Sequence, residues 1–213
     1  MKKISFVVAV YHNEGALVRT LEKIAAVFSE QLSQYDYEIV FIDDGSRDGS
    51  LDEALAIREK DPRVTVLTFT RNFGQMAAML AGFDEATGDA VINISADLQD
   101  PVELIPQMVE KWEEGAETVI CYRTDRSDSI LSKLFSKMAY GVLRLSLPQI
   151  PPGGFDFVLM DRTVMDAFNA IDVRHRFFQG DLLWTGYRTS FIPYERLKRT
   201  IGKSQYNSAK KMK

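Results

Sequence analysis

Cysteine and histidine are nearly absent from this 213-residue chain, which holds one Cys, Cys121, and two His, His12 and His175. A single thiol excludes an internal disulfide framework and fits a reducing compartment. So few soft ligands leave little basis for a tetrahedral zinc site or a Cys–His nucleophilic pair. Also missing is any apolar run of the roughly 18 residues a bilayer crossing requires. The short apolar run after Met1-Lys2-Lys3 stops at His12-Asn13-Glu14 without a small-residue cleavage site, so the chain reads as soluble or peripheral. Neither G-x-G-x-x-G after the first apolar run nor G-x-x-x-x-G-K-S/T occurs, which argues against a Rossmann dehydrogenase and a P-loop NTPase, and the lack of G-x-S-x-G removes a serine hydrolase. With 26 basic and 30 acidic residues the net charge is −4, so no overall basic field for nucleic acid exists.

What is present is a core. Apolar residues make up 46% and aromatic residues 11% of the chain, enough for one sizeable domain over residues 1–213. Nearly continuous, β-branched-rich runs at 4–10, 39–42, 64–69, 90–94 and 118–121 read as strands buried on both faces. Helical patterns at 15–32, 51–60, 75–86 and 101–112 lie between them, and the spacing predicts βα units: an α/β fold, a mostly parallel sheet with helices on both faces. Asp100-Pro101 reads as an N-cap and first helical residue. Pro151-Pro152-Gly153-Gly154 divides a sheet-forming part, 1–150, from a smaller region, 151–213, expected to pack back upon it. From Arg188 onward eight basic residues face Glu195 alone, which suggests either a solvated terminus or a surface for an anion. Residues 129–147 carry a helical apolar stripe with Lys133, Lys137 and Arg144 opposite, fitting a core helix or one lying at a membrane interface.

Polar residues gather where the strands end. Tyr11-His12-Asn13-Glu14, Asp43-Asp44-Gly45-Ser46, Arg71-Asn72, Ser95-Ala96-Asp97 and Arg123 each follow an apolar run, at the edge where an open parallel sheet forms its ligand crevice. Asp43-Asp44-Gly45-Ser46 fits a plain turn and cap, or a carboxylate accepting from a base N–H or ribose hydroxyl. Asp97 and Gln99, two apart in backbone read as extended, would point the same way and offer two hard oxygen donors to a divalent cation. His12 reads as a crevice-wall residue and His175 as a surface one.

Four segments stand in order: Val7-Val8-Ala9-Val10-Tyr11-His12-Asn13-Glu14, Ile42-Asp43-Asp44-Gly45-Ser46-Arg47-Asp48-Gly49-Ser50, Arg71-Asn72-Phe73-Gly74-Gln75 and Ala96-Asp97-Leu98-Gln99-Asp100-Pro101. They resemble the signature of inverting GT-A glycosyltransferases of the polyprenyl-phosphate branch, the dolichyl-phosphate mannose synthases and bactoprenol glucosyltransferases. The likeness continues through Asp156-Phe157, Gly180-Asp181-Leu182-Leu183-Trp184-Thr185-Gly186-Tyr187 and Arg199-Thr200-Ile201-Gly202-Lys203-Ser204-Gln205-Tyr206. The resemblance implies that Tyr11, Glu14, Asp43, Asp44 and Arg71 bind a nucleotide sugar together with Asp97, and that Asp97 and Gln99 hold Mg²⁺ or Mn²⁺ against its diphosphate. It implies a catalytic role for Asp156, acceptor-phosphate contacts from Arg123, Lys133 and Ser136, and closure over the nucleotide by Arg199, Lys203 and Ser204. This chain has Ser95 where the family usually has an acid, Val158 where it often has Arg, and Gln205 where it has Lys.

The expected reaction is metal-dependent transfer of a hexose from a UDP- or GDP-sugar to a polyprenyl phosphate, with inversion. The acceptor is already an anion and needs no strong base, while metal and basic groups stabilise the leaving diphosphate. Alternatives are a GT-A transferase acting on a glycan and a catalytically silent sugar-nucleotide binder. The resemblance places the domain at the cytoplasmic face of a membrane, in a branch whose members commonly continue into C-terminal transmembrane helices; no nucleic-acid partner is expected, and self-association is left open.

Overall fold

A computed structural model describes residues 1–124, 144, 147–152, 154–173 and 176–195 of the chain. Lys133, Ser136, His175, Arg199, Lys203, Ser204, Gln205 and most of the 129–147 stripe lie outside the described residues.

Seven strands form one sheet in the order β3-β2-β1-β4-β6-β5-β7. Five are the expected ones: β1 (Lys3–Val10), β2 (Asp36–Asp43), β3 (Val64–Thr68), β4 (Ala90–Asn93) and β5 (Thr118–Arg123). The C-terminal region does more than pack against this sheet, contrary to the sequence expectation. Its β6 (Phe157–Asp161) inserts between β4 and β5 antiparallel to both, and β7 (Thr189–Tyr194) runs parallel beside β5 at the edge. The edge position accommodates Pro193, since no further strand needs the amide proton that proline lacks.

Strand residues alternate between two cores. Phe6, Val8, Phe41, Phe157 and Leu159 pack under α1 (Leu17–Gln31), α2 (Ser50–Lys60) and α4 (Ile105–Glu113), whose buried residues include Leu17, Ile24, Ile57, Met108 and Trp112. Val7, Val40, Val158 and Met160 face the opposite layer, formed by α3 (Gln75–Glu85), α5 (Arg162–Asn169) and α6 (Phe178–Trp184). Gly82 sets the approach of α3, because a Cβ there would stand 2.5 Å from Val7 Cγ1 and 2.6 Å from Ile42 Cδ1. Val158, one of the departures from the family pattern, is fully buried in this second layer and packs as a core residue of this chain.

The start of the fourth helical segment also departs from expectation. Pro101 is extended, with ψ 109°; a 3-10 turn, Val102–Leu104, follows it, and α4 begins at Ile105. Asp100 therefore caps no helix. Buried at 3% exposure, its carboxylate accepts the Ser95 amide proton at 2.9 Å and the Tyr194 hydroxyl proton at 2.9 Å. The arrival of β7, invisible in the local pattern, gave that acid a tertiary partner.

Candidate active site

The switch in strand order falls at β1, which pairs with β2 on one side and β4 on the other. From β1 the chain proceeds to β2 and β3 on one side, and from β4 to β5 on the other, so the strand order reverses between β1 and β4; ligands of open α/β sheets bind at the carboxyl edge of such a point. Tyr11 and Asp97 follow the two strands that flank this point. β6 runs backwards, so its amino end lies on the same edge and brings Asp156 there, beside Arg123 at the end of β5. From β2 to β5 the edge crosses four interstrand spacings, roughly 19 Å at about 4.8 Å each.

At the β1–β3 end is a cavity of about 570 Å³, walled by Tyr11, His12, Asp43, Ser46, Arg47, Thr68 and Arg71 among others. Its walls are fixed by side-chain bonds between loops. The His12 amide donates to Ser46 Oγ at 3.1 Å, and His12 Nε2 accepts the Arg47 amide at 3.3 Å; the ring stacks on Tyr11 with centroids 4.3 Å apart. His12 has φ 55°, a left-handed conformation that this pair of bonds holds in place. Gly45, φ 68°, turns the chain where a Cβ would stand 2.5 Å from the Arg71 carbonyl carbon, pressing the β2 exit against the β3 exit.

The two adjacent acids divide their work. Asp43 faces the cavity; its carboxylate accepts long bonds from the Ser46 amide, at 3.2 Å and 3.3 Å, and from Thr68 Oγ1 at 3.3 Å. A carboxylate offers about four lone-pair sites, so acceptor capacity remains for a base N–H or ribose hydroxyl. Asp44 turns away. It accepts from Asn72 Nδ2 at 2.8 Å, the Phe73 amide at 2.6 Å and the Gly74 amide at 3.0 Å, anchoring the loop that leads into α3. Glu14 is likewise off the cavity wall: it accepts the Gly49 amide at 3.1 Å ahead of α2, while Glu53 of α2 accepts the Gly15 and Val18 amides at 2.6 Å and 3.0 Å. These reciprocal acids favour two helix N-termini, where carboxylates complement unsatisfied amides. Arg71 is exposed at the rim, its guanidinium 4.0 Å above the Phe73 ring.

Asp97, 5% exposed, follows β4, but the segment is a turn and not the extended backbone expected. Leu98 has φ 57°, and Asp97 Oδ1 accepts the Gln99 amide at 3.2 Å. A leucine held left-handed costs about 1–2 kcal/mol, offset by bonds that pin the loop: Ser95 to Asp100, and Thr20 Oγ1 donating to Ala96 O at 3.3 Å. Among the described residues no three His, Cys, Asp or Glu side chains converge on one point. The available set is one carboxylate and one amide oxygen, both hard donors. It fits a cation such as Mg²⁺, which is typically held by one or two carboxylates plus substrate phosphates and water. Ser95 Oγ adds nothing to that set, being shut off from solvent without a hydrogen-bond partner.

Asp156 has a half-exposed side chain whose Oδ2 lies 3.5 Å from Arg123 Nη2. Its backbone is gripped by residues that sequence reasoning missed: Asn93 Nδ2 donates to Asp156 O at 2.7 Å, and Gln179 Nε2 donates to Phe155 O at 2.7 Å. Arg123 remains charged, for although burial opposes the charge, the Tyr194 hydroxyl, Asp156 and Asp100 together raise its pKa above the ordinary arginine value.

An open sheet with its acids strung along the carboxyl edge, and one reversed strand contributing a further carboxylate there, is the arrangement of the GT-A fold. Solved structures share the fold. A mannosyltransferase from Pyrobaculum calidifontis, solved with GDP-Man and Mn²⁺, superposes with a TM-score of 0.66 at 18% identity, over 93% of this chain and 57% of that one. Glucosyl-3-phosphoglycerate synthase from Mycobacterium tuberculosis, solved with Mn²⁺, UDP-Glc and phosphoglyceric acid, gives 0.65 at 17% identity, over 94% and 73%. Residues 5–151 match the model of glycosyl transferase family 2. A bactoprenol glucosyl transferase of Shigella phage SfX is 42% identical over 98% of this chain and 68% of its own length, and a prophage homologue in Escherichia coli K12 is 41% identical over the same shares. The chain belongs to glycosyl transferase family 2 and is a glycosyltransferase.

Proposed function

We propose that this enzyme transfers a hexose, glucose by analogy with its bactoprenol glucosyl transferase relatives, from a nucleotide diphosphate sugar to a polyprenyl phosphate, with inversion at the anomeric carbon and with Mg²⁺ or Mn²⁺ as cofactor. The observation carrying this reading is the shared edge: a polar cavity beside Asp43 at one end and the Asp156–Arg123 pair at the other, with Asp97 between them. Asp43 and the stacked Tyr11 and His12 hold the nucleoside. Asp97 and Gln99 would hold the metal, which when bound neutralises charge developing on the departing diphosphate. Arg123 receives the acceptor phosphate, with Lys133 and Ser136 as further contacts carried over from the family pattern. Half-exposed Asp156 orients the sugar or the incoming phosphate, while Arg199, Lys203 and Ser204 close over the nucleotide.

The anionic acceptor supplies its own nucleophilic oxygen, so the protein's contribution is chiefly positioning and electrostatics. Membrane attachment follows from the acceptor's chemistry and the basic C-terminal end; no described helix is long and apolar enough to cross a membrane. A thermal-shift screen of UDP- and GDP-sugars, each with and without Mn²⁺, tests donor and metal together, because a ligand of the folded state raises its melting temperature. One nucleotide sugar raising it only with metal present is expected; no response to any nucleotide sugar contradicts the reading.

A further inference from the structure

Tyr194 ends β7 in register with Arg123 and is 6% exposed. Its ring packs edge-on against Phe157 at 6.2 Å, and its carbonyl accepts the Thr124 amide at 3.0 Å, so the residue is fixed at both ends. The hydroxyl stands between two charges. It donates to Asp100 Oδ1 at 2.9 Å and accepts a long bond from Arg123 Nε at 3.4 Å. Asp100 Oδ2 takes the Ser95 amide, and Arg123 Nη2 faces Asp156 at 3.5 Å. One chain of contacts therefore joins the loop carrying Asp97 to the guanidinium at the end of β5.

Its polarity has one solution. An ionised carboxylate only accepts and a guanidinium only donates, so a group between them must do both, and a phenol does. Burial and the Asp100 charge push the Tyr194 hydroxyl well above its ordinary pKa, keeping its proton available for Asp100. Engaging Nε on the β7 side leaves the terminal nitrogens to other partners, and Nη2 is the one that lies 3.5 Å from Asp156 Oδ2. A planar guanidinium so held presents a fork suited to two oxygens of a phosphate.

We propose that Tyr194 and Asp100 are positioning residues for recognition of the acceptor's phosphate monoester, acting through Arg123 and tying its orientation to the Asp97 loop. The inference rests on the polyprenyl-phosphate reading for the identity of that anion. Tyr194→Phe retains the packing on Phe157 and removes only the hydroxyl. The variant is expected to raise the KM for polyprenyl phosphate about tenfold while the KM for the nucleotide sugar stays within about twofold. Arg123→Lys has no Nε to engage Tyr194, so adding Tyr194→Phe to it is expected to produce little further rise; residues coupled in one network are non-additive in this way. Asp100→Asn, of nearly the same volume, is the second variant should Tyr194→Phe fail to fold, and carries the same acceptor-specific expectation.

Calorimetric binding of a short-chain prenyl monophosphate separates this inference from the reading it rests on. If wild type binds that probe but transfers no sugar, the transfer reading fails, whereas a tenfold weaker affinity in Tyr194→Phe still supports the positioning role. Parallel rises in both KM values, additive effects of the Tyr194 and Arg123 substitutions, or no binding of prenyl monophosphate by wild type would each overturn it.

Discussion

Asp43 and Asp44 are adjacent, acidic and buried, yet they are expected to fail in opposite ways. Asp44→Ala removes three bonds to a charged acceptor, two of them at 2.8 Å or shorter, from Asn72 Nδ2 and the Phe73 and Gly74 amides. Bonds to a charged group contribute about 1.5–3 kcal/mol each, but the exposed Asn72 amide regains water and the losses overlap, so about 3 kcal/mol is expected in total. At 2–4 °C per kcal/mol for a domain of this size, the melting temperature falls by roughly 6–12 °C. Asp43→Asn loses only bonds of 3.2–3.3 Å and keeps an acceptor oxygen, so its stability stays within about 1 kcal/mol. It faces the cavity, however, and its nucleotide affinity is expected to fall at least about tenfold, the equivalent of about 1.4 kcal/mol. Thermal melting and calorimetric titration with nucleoside diphosphate, run on both variants, give the four numbers needed. If Asp44→Ala melts within about 2 °C of wild type while losing nucleotide affinity, the division of labour is wrong.

Asp156→Asn is expected to leave melting and donor binding nearly unchanged while cutting transfer by roughly a hundredfold, the scale of a lost positioned group; near-normal turnover would reduce its bond to Arg123 to a local ion pair. Gly45→Ala places a Cβ against the Arg71 backbone in a left-handed turn, and is expected to lower the urea midpoint and weaken nucleotide binding together. Glu38 is partly buried, which alone would raise its pKa, but bonds from Ser5, Lys3 and Thr87 outweigh burial and hold it at about 2. Its stabilisation is therefore complete above the unfolded value near 4.3 and lost as pH falls from there towards 2; Glu38→Gln should flatten the stability–pH curve across that window, and an unchanged slope would refute the assignment. Excess chelator is expected to abolish most diphosphate affinity, since clustered acids and a diphosphate repel without a cation between them; unchanged affinity in chelator removes Asp97 and Gln99 as metal holders.

The five strands and four helices of the first 124 residues were legible because both sides of the sheet are covered, which writes continuous apolar runs separated by amphipathic ones. β6 was not, since Phe157–Asp161, four apolar residues and an aspartate, runs directly into α5 and so short a run has no periodicity of its own. Its insertion between β4 and β5 is a tertiary event with no local signal. The crevice was readable for a related reason: polar residues following buried strands mark the carboxyl edge. What spacing could not reveal was where each side chain points. Asp44 and Glu14 turned out to hold loops, and Asp100 became the partner of Tyr194 because a strand ninety residues later arrives beside it. The turn at Leu98 was equally hidden, since nothing in Asp97-Leu98-Gln99 favours a left-handed leucine until the bonds pinning its flanks are known.

Transfer of labelled sugar from its nucleotide to polyprenyl phosphate, with a soluble saccharide as competing acceptor, tests the central claim most directly. The expected product is a lipid-extractable sugar phosphate of inverted anomeric configuration, formed with release of one nucleoside diphosphate per sugar. Label passing to the saccharide while the polyprenyl phosphate remains unmodified would contradict the account.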